Sequence, residues 1–385
     1  MIYLVGISIT FFLVFILTSK KNKSPADTIL TVWLSIIGLH LLLYYIYATG
    51  KYVTFPFLLG LEIPLPLLHG PLLFLYTVAL TNQEHNKNIN TLHFIPFVLA
   101  LLSLLPFFVL SFPQKIKVYQ EEGKSYELLN SIIFIAIILS GIFYTIISLQ
   151  KLDKHRKAIR EQFSNTEKIN LKWLSYLILG LSIIWVFVIF SEDKYIFSAV
   201  VFYVLFIGYF GIKQVGIFTI ATSQIPDEIS ENLSSEEDKK FNSTLFDEKK
   251  IEVQSGKIKY EKSKISSDEV SAIQKKLIAL MQTEKTYTDP ELSLSDLAQK
   301  ISVHPNTLSQ IINSVEQKNF YEYINDLRVE EFKKLIAIPH NQKFTLLSLA
   351  FESGYNSKTA FNRNFKINTG HSPSDYLKQM NISLS

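Results

Sequence analysis

The sequence predicts an all-α protein in two parts. A seven-helix transmembrane bundle occupies residues 1–219 and a cytoplasmic, all-helical tandem helix-turn-helix domain occupies residues 264–385, joined by a flexible acidic linker over 220–263. Three observations predict this division. Only 19% of the 385 residues are charged, against roughly a quarter in an ordinary soluble domain, and residues 1–219 hold just 28 of the 72 charges. Seven apolar stretches in that region approach the ~20 residues that a helix needs to cross a bilayer. In the last third, one apolar frame recurs about fifty residues apart, the mark of a repeated unit.

The seven stretches are 2–18, 29–48, 57–80, 94–112, 131–149, 174–190 and 195–212. The first follows Met1 with no basic leader and no small-residue cleavage pattern, so it reads as a retained span rather than a signal peptide. Orientation follows from Lys and Arg, which accumulate in cytoplasmic loops. Lys20, Lys21, Lys23, Lys87 and the seven basic residues between 151 and 172 follow odd-numbered spans; only Lys51, Lys115, Lys117, Lys124 and Lys194 follow even-numbered ones. This places the N-terminus outside and everything after Lys213 in the cytoplasm. The weakest point of the count is the pair of final spans, separated by Ser191-Glu192-Asp193-Lys194, a loop too polar to be buried.

The third stretch contains Glu62, Pro64, Pro66, His69, Gly70 and Pro71. Prolines remove backbone donors and kink a helix, and an ionisable side chain at membrane depth is costly enough to suggest function. Glu62 and His69 stand two turns apart on one face of a straight helix and are the candidate signal-sensing pair. The competing expectation puts Glu62 at the outer headgroups and leaves the prolines only to bend the chain. His93, Trp33, Trp173 and Trp185 are expected to pack or to sit at the membrane interface. Zero cysteines exclude a disulfide framework, a thiolate metal centre and cysteine catalysis, and the eight histidines lack ligand spacing. No catalytic residue, metal or cofactor is expected.

Residues 220–263 are polar and acidic, too poor in apolar side chains to order themselves. As a coil, such a segment has an r.m.s. span of about 33–40 Å. From residue 264 the pattern turns amphipathic. Ser293-Leu294-Ser295-Asp296 is a capping-box start, and Leu294, Leu297, Ala298 and Ile301 form the buried stripe of a short helix. Pro305 suits a first helical position, and Leu308, Ile311 and Ile312 form a second stripe. Thr345, Leu346, Leu349 and Ala350 repeat the first frame 52 positions on; Gly354-Tyr355 makes the turn, Ser357 caps, and Phe361 and Phe365 repeat the second frame 53 positions on. Two short helices joined by a tight turn, with alanine at the crossing, describe a helix-turn-helix. A helical run from Asn319 to Ala337 joins the copies and spans about 28 Å, close to the ~34 Å between successive major-groove faces.

These segments resemble the AraC/XylS family of bacterial transcription regulators over about 110 residues from Asp268 to Leu377. The resemblance is carried by Leu294 to Ala298, Phe320 through Arg328 to Leu335, Leu349-Ala350-Phe351-Glu352-Ser353-Gly354-Tyr355, Phe361 to Lys366, and Gly370-His371-Ser372-Pro373-Ser374-Asp375-Tyr376. The N-terminal half looks like the seven-span, membrane-anchored members, through Pro71 to Tyr76 and His93 to Phe97, which implies the bacterial cytoplasmic membrane as the location.

On the helical wheel, Asn306, Ser309 and Gln310 face away from the first apolar stripe, and Lys358, Thr359, Asn362 and Arg363 face away from the second. The latter group resembles the positions at which the family reads bases. Gln or Asn suits adenine and Arg suits guanine in the major groove; Lys366 is better placed for phosphate. The domain as a whole lacks a basic footprint, yet residues 333–385 hold 7 basic against 2 acidic residues. The second copy is therefore expected to supply most of the phosphate attraction, with homodimerisation or local concentration at the membrane compensating for modest affinity. The expected function is a membrane-bound, sequence-specific transcription regulator: its partners are double-stranded DNA, the bilayer and a small-molecule or membrane signal. The alternative is a membrane transporter or enzyme with a cytosolic regulatory module.

Overall fold

The computed structural model describes residues 1–81, 91–214 and 266–382; the expected linker over 220–263 and Lys87 lie outside the described residues. No strand occurs among them, and the helices fall into two compact units. One draws on Met1–His155 and Leu171–Ile220, the other on Arg156–Asn170 and Ala221–Ser385.

In the first unit, α1 is Ile2–Ser19 and α2 is Pro25–Ala48. Ser24 caps α2 in a reciprocal box with Asp27, whose carboxylate also pairs with Lys20 at 2.6 Å. After two short turns come α3 (Pro66–Leu80), α4 (Ile95–Ser103), α5 (Leu105–Phe108) and α6 (Phe112–Gln120). Helix α7 (Glu127–Gln162) belongs to the unit as far as His155, and two long helices, α8 (Lys172–Phe190) and α9 (Asp193–Gln214), complete it. Five segments among the described residues are long and apolar enough to cross a membrane: Ile2–Ser19, Pro25–Ala48, Lys124–Gln162, Lys172–Phe190 and Asp193–Phe210.

The third and fourth expected spans differ from the rest. The helix of the third begins only at Pro66, and its 15 residues span about 22 Å. Phe57 to Leu65 instead forms short turns, because closely spaced prolines deny the chain the donors that a continuous helix needs. Glu62 therefore precedes the helix, and the expected straight face shared with His69 does not exist. The fourth is divided into α4 and α5, each with proline in its first turn.

The interior of this unit is apolar and close-packed, with Trp33, Leu41, Leu73 and Leu174 fully buried. Gly141 admits the Trp185 ring so closely that a Cβ there would meet it at 2.6 Å. Outward-facing Phe15, Leu139, Phe190 and Phe202 stay more than 60% exposed, the distribution expected of helices whose solvent is hydrocarbon.

The second unit contains α10 (Ser267–Thr283), α11 (Leu294–Lys300), α12 (Pro305–Ile311), α13 (Phe320–Ala337), α14 (Leu346–Glu352), α15 (Lys358–Thr369) and α16 (Pro373–Gln379). Each helix-turn-helix has its own core. Leu297, Ala298, Leu308 and Ile312 pack with Phe320 and Ile324, while Leu349, Ala350, Phe361 and Phe365 pack with Val329 and Phe332. Helix α13 contributes to both and is the spine between the copies. The turns correspond atom for atom in their closing bonds: Val303 N donates to Ala298 O at 3.0 Å, and Tyr355 N to Ala350 O at 3.1 Å. Both alanines are fully buried, since a larger side chain at either crossing would hold the helices apart.

Candidate nucleic-acid interface and a cavity in the apolar unit

Both second helices of the repeat start from side-chain caps. His304 Nδ1 accepts from the Asn306 amide at 3.2 Å, and Ser357 Oγ accepts from the Ala360 amide at 3.1 Å. Asn306 is exposed on the first turn of α12, with Ser309 and Gln310 half-buried beyond it. On α15, Lys358, Thr359, Arg363 and Lys366 are exposed and Asn362 is half-buried. Arg363 is engaged within the unit: its guanidinium donates to Tyr321 Oη at 2.6 Å and lies 5.8 Å from that ring's centre. The adjacent Asn364, buried on the inner face, joins Tyr321 and Asn325 in the same network. That spacing fixes α15 against α13 and aims the α15 outer face.

Residues 156–170, which precede α8 in sequence, belong to this second unit. Ser164 is 1% exposed, and its amide and hydroxyl both donate to Leu292 O, at 3.2 and 2.7 Å. Its carbonyl accepts from Asn325 Nδ2 at 3.0 Å and from Arg328. Arg328 is itself 1% exposed and spreads its donors over Tyr287 O, Asp289 O and Ser164 Oγ. Burial pulls its guanidinium down to about 10, which leaves it charged at neutral pH; a buried charge in this position requires all of those acceptors. The carboxylates of the segment reach both second helices. Glu161 accepts from Asn313 Nδ2 at 3.2 Å and from Ser309 Oγ at 3.5 Å, and Ser357 Oγ donates to Glu167. Arg160 lies 5.9 Å from the Tyr321 ring centre. Sequence reading assigned these residues only to a basic loop, and no local signal marks Ser164 or Arg328 as partners 164 positions apart.

The first unit separates the two candidate sensing residues. Tyr119 donates to Glu62 Oε1, and the Gly60 amide donates to Oε2 at 3.1 Å. His69 Nδ1 instead accepts from Trp33 Nε1 at 3.2 Å, which puts its ring proton on Nε2, and the ring stacks on His40 at 5.8 Å. Glu62 lines a cavity of about 500 Å³ together with Glu122 and Asp193. Aromatic rings from α2, α6 and α9 wall it, among them Tyr44, Tyr119 and Phe197. His69 lines a smaller, apolar recess of about 60 Å³; His40, Pro66 and Phe197 border both. Sequence reading had no means of finding His40, Tyr119 or Asp193, which come from elements far apart in the chain.

The second unit carries an AraC-type helix-turn-helix domain. A family model described as "Helix-turn-helix domain" matches residues 297–379. A curated relative, the uncharacterized HTH-type transcriptional regulator YijO of Escherichia coli (strain K12), is 29% identical over 111 residues. The match takes in 28% of this chain and 38% of that protein, so the chain spans well under half the length of this relative. A solved structure of a protein of unknown function from Listeria innocua is 26% identical, covering 28% of this chain and 95% of that one, with a TM-score of 0.24.

Proposed function

We propose that this chain is a membrane-embedded transcription regulator in which residues 156–170 couple the membrane helices to the DNA-binding domain. One observation carries the coupling. A segment flanked in sequence by two long apolar helices is folded into the DNA-binding unit, where its carboxylates hold Ser309 and Ser357 on the two second helices. Negative charge there repels phosphate and occupies polar groups on the helices that enter the groove. A signal that prefers the arrangement lacking these contacts shifts the population toward DNA binding.

In this reading Asn306, Ser309, Gln310, Lys358, Thr359, Asn362 and Arg363 face base edges and Lys366 faces phosphate. Arg363 leaves Tyr321 for a guanine. Two copies of the chain acting together supply the affinity that one near-neutral domain lacks. The shared unit also supports an even number of crossings between residues 170 and 266, provided by α8 and α9. With α3 and the broken α4 to α6 region as the remaining crossings, the count is seven and the N-terminus is outside.

The test is specific duplex binding by the full-length protein in nanodiscs, using sites found by genome-wide mapping of the DNA it occupies. Affinity falls steeply with salt, and Arg363→Ala weakens the preference for the mapped sites; binding indifferent to that substitution at every site sinks the reading. The cavity favours a second reading, a transporter with a cytosolic regulatory module, because its polar groups come from several elements. Uptake of a cavity ligand into proteoliposomes would select it.

A further inference from the structure

We propose that the larger cavity of the first unit binds an amphipathic organic cation: a protonated amine or quaternary ammonium group on a short apolar tail. The inference names the class of signal for the regulator proposed above and rests on that reading.

The sign of the site comes first. Glu62, Glu122 and Asp193 line the cavity, which has no Lys or Arg among its lining residues. None of the three carboxylates forms an ion pair with a described residue. Both Glu62 oxygens accept hydrogen bonds, from the Tyr119 hydroxyl and the Gly60 amide. Glu122 and Asp193 are exposed and Glu62 is half-buried, so the carboxylates present negative charge to an entering cation. Among the described residues no group of three His, Cys, Asp or Glu is arranged to hold a metal ion.

The walls define that cation further. Tyr47 and Tyr119 stand with ring centres 6.0 Å apart, and Phe107 stands 5.9 Å from Tyr119. Tyr44 stacks on Phe197 at 3.8 Å. Clustered aromatic faces beside carboxylates attract ammonium groups through ring quadrupoles. Asn130, half-buried, also lines the cavity. Past His40 and Phe197 lies the smaller recess, lined by Leu181, Ile184 and Trp185 and with room for about two methylene groups. Trp185 is 8% exposed and its Nε1 has no partner, so a tail carrying an ether or hydroxyl oxygen fits better than a pure hydrocarbon.

The ammonium group has two sources, a free amine or the headgroup of an aminolipid. Full-length protein in phosphatidylglycerol nanodiscs is titrated with hexylammonium and hexyltrimethylammonium, and with hexanesulfonate as the anionic control. The readout is tryptophan fluorescence, because two of the three tryptophans, Trp33 and Trp185, line the recess. A parallel set of discs has part of its lipid replaced by phosphatidylethanolamine. Saturable binding of the soluble cations, weakened about tenfold by Asp193→Asn and by Glu62→Gln, supports a free amine. A fluorescence change produced by phosphatidylethanolamine that blocks the soluble cations and is lost in Asp193→Asn supports a lipid source. Tyr126→Leu, at the cavity wall and outside the Glu62 network, gives the same weakening if Glu62→Gln disturbs folding. Responses to neither cation nor aminolipid, an equal response to hexanesulfonate, or responses unchanged in all three variants overturn the proposal. DNA is absent from this experiment, so its failure leaves the regulator reading standing, and failure of the Arg363 test leaves this one standing.

Discussion

The first helix-turn-helix closes its turn on Ser302 at φ 56° and enters a second helix of seven residues, whereas the second closes on Gly354 at φ 100° and enters one of twelve. The first runs straight into a π-turn over Ile312–Glu316 that ends on Gln317 at φ 54°. The second ends on Gly370 at φ 78°, a relaxed left-handed cap. Around the first, acidic residues predominate and Glu161 occupies Ser309 and Asn313; the second carries Lys358, Arg363 and Lys366 on its exposed face. One repeated frame thus carries two different surfaces. In the proposed reading the second copy supplies most of the phosphate attraction, while both copies are restrained, the first through Ser309 and the second through Ser357.

The largest expected effect lies in the turns. A Cβ at Gly354 would sit 2.5 Å from Tyr287 O in a left-handed conformation. Gly354→Ala is expected to cost more than about 3 kcal/mol, whereas Ser302→Gly, relieving the same strain in the first copy, stays within about 1 kcal/mol of neutral on the stabilising side. Hydrogen exchange of α11 to α16 in the full chain measures both; equal destabilisation would mean that the turns are not equivalent.

Next is base reading. Arg363→Ala is expected to cost ~1–3 kcal/mol of discrimination at one base pair, and Gln310→Ala, its counterpart in the first copy, less. Competition between mapped and scrambled duplexes separates them, and a larger loss at Gln310 would reverse that order. Lys358→Ala and Lys366→Ala are each expected to reduce the salt slope of binding by about 1 with little change in sequence preference. Slopes that do not move would remove the lysines from the phosphate contacts.

The smallest effect concerns pH. Burial alone would raise the Glu331 carboxyl, but hydrogen bonds from Lys285, at 2.6 Å, and from Tyr287, at 3.0 Å, outweigh it and hold the group below its ordinary 4.5. A depressed value in the folded state means stability that is complete above 4.5 and lost as pH falls through the folded value. Thermal unfolding of the second unit between pH 6 and about 3 should therefore weaken less steeply in Glu331→Gln.

What the sequence made legible is what neighbouring residues decide. The Ser293 box with Asp296, the Pro305 start, the Ser357 cap and the recurring Ala298 and Ala350 all act within a few residues, and the helices form where the pattern puts them. Glu62 was noticed as an oddity, but its partner Tyr119 lies 57 positions away, across a region broken by prolines. The same holds for Ser164 and Arg328, and for Arg363, whose outward position was legible while its bond to Tyr321 was not. Prolines in the third apolar stretch signalled bending; how far they shorten its helix, and the break of the fourth stretch, depend on turns that no periodicity encodes.

The most direct test of the restraint is the affinity of full-length protein for a mapped duplex, in nanodiscs and at fixed salt, with Glu161 and Glu167 both replaced by alanine. Their removal frees Ser309 and Ser357 and takes two negative charges from the face that meets phosphate. Binding about tenfold tighter than that of the unaltered chain is expected. Unchanged or weaker binding, with the unit still folded by hydrogen exchange, would contradict the claim that residues 156–170 hold the domain off DNA.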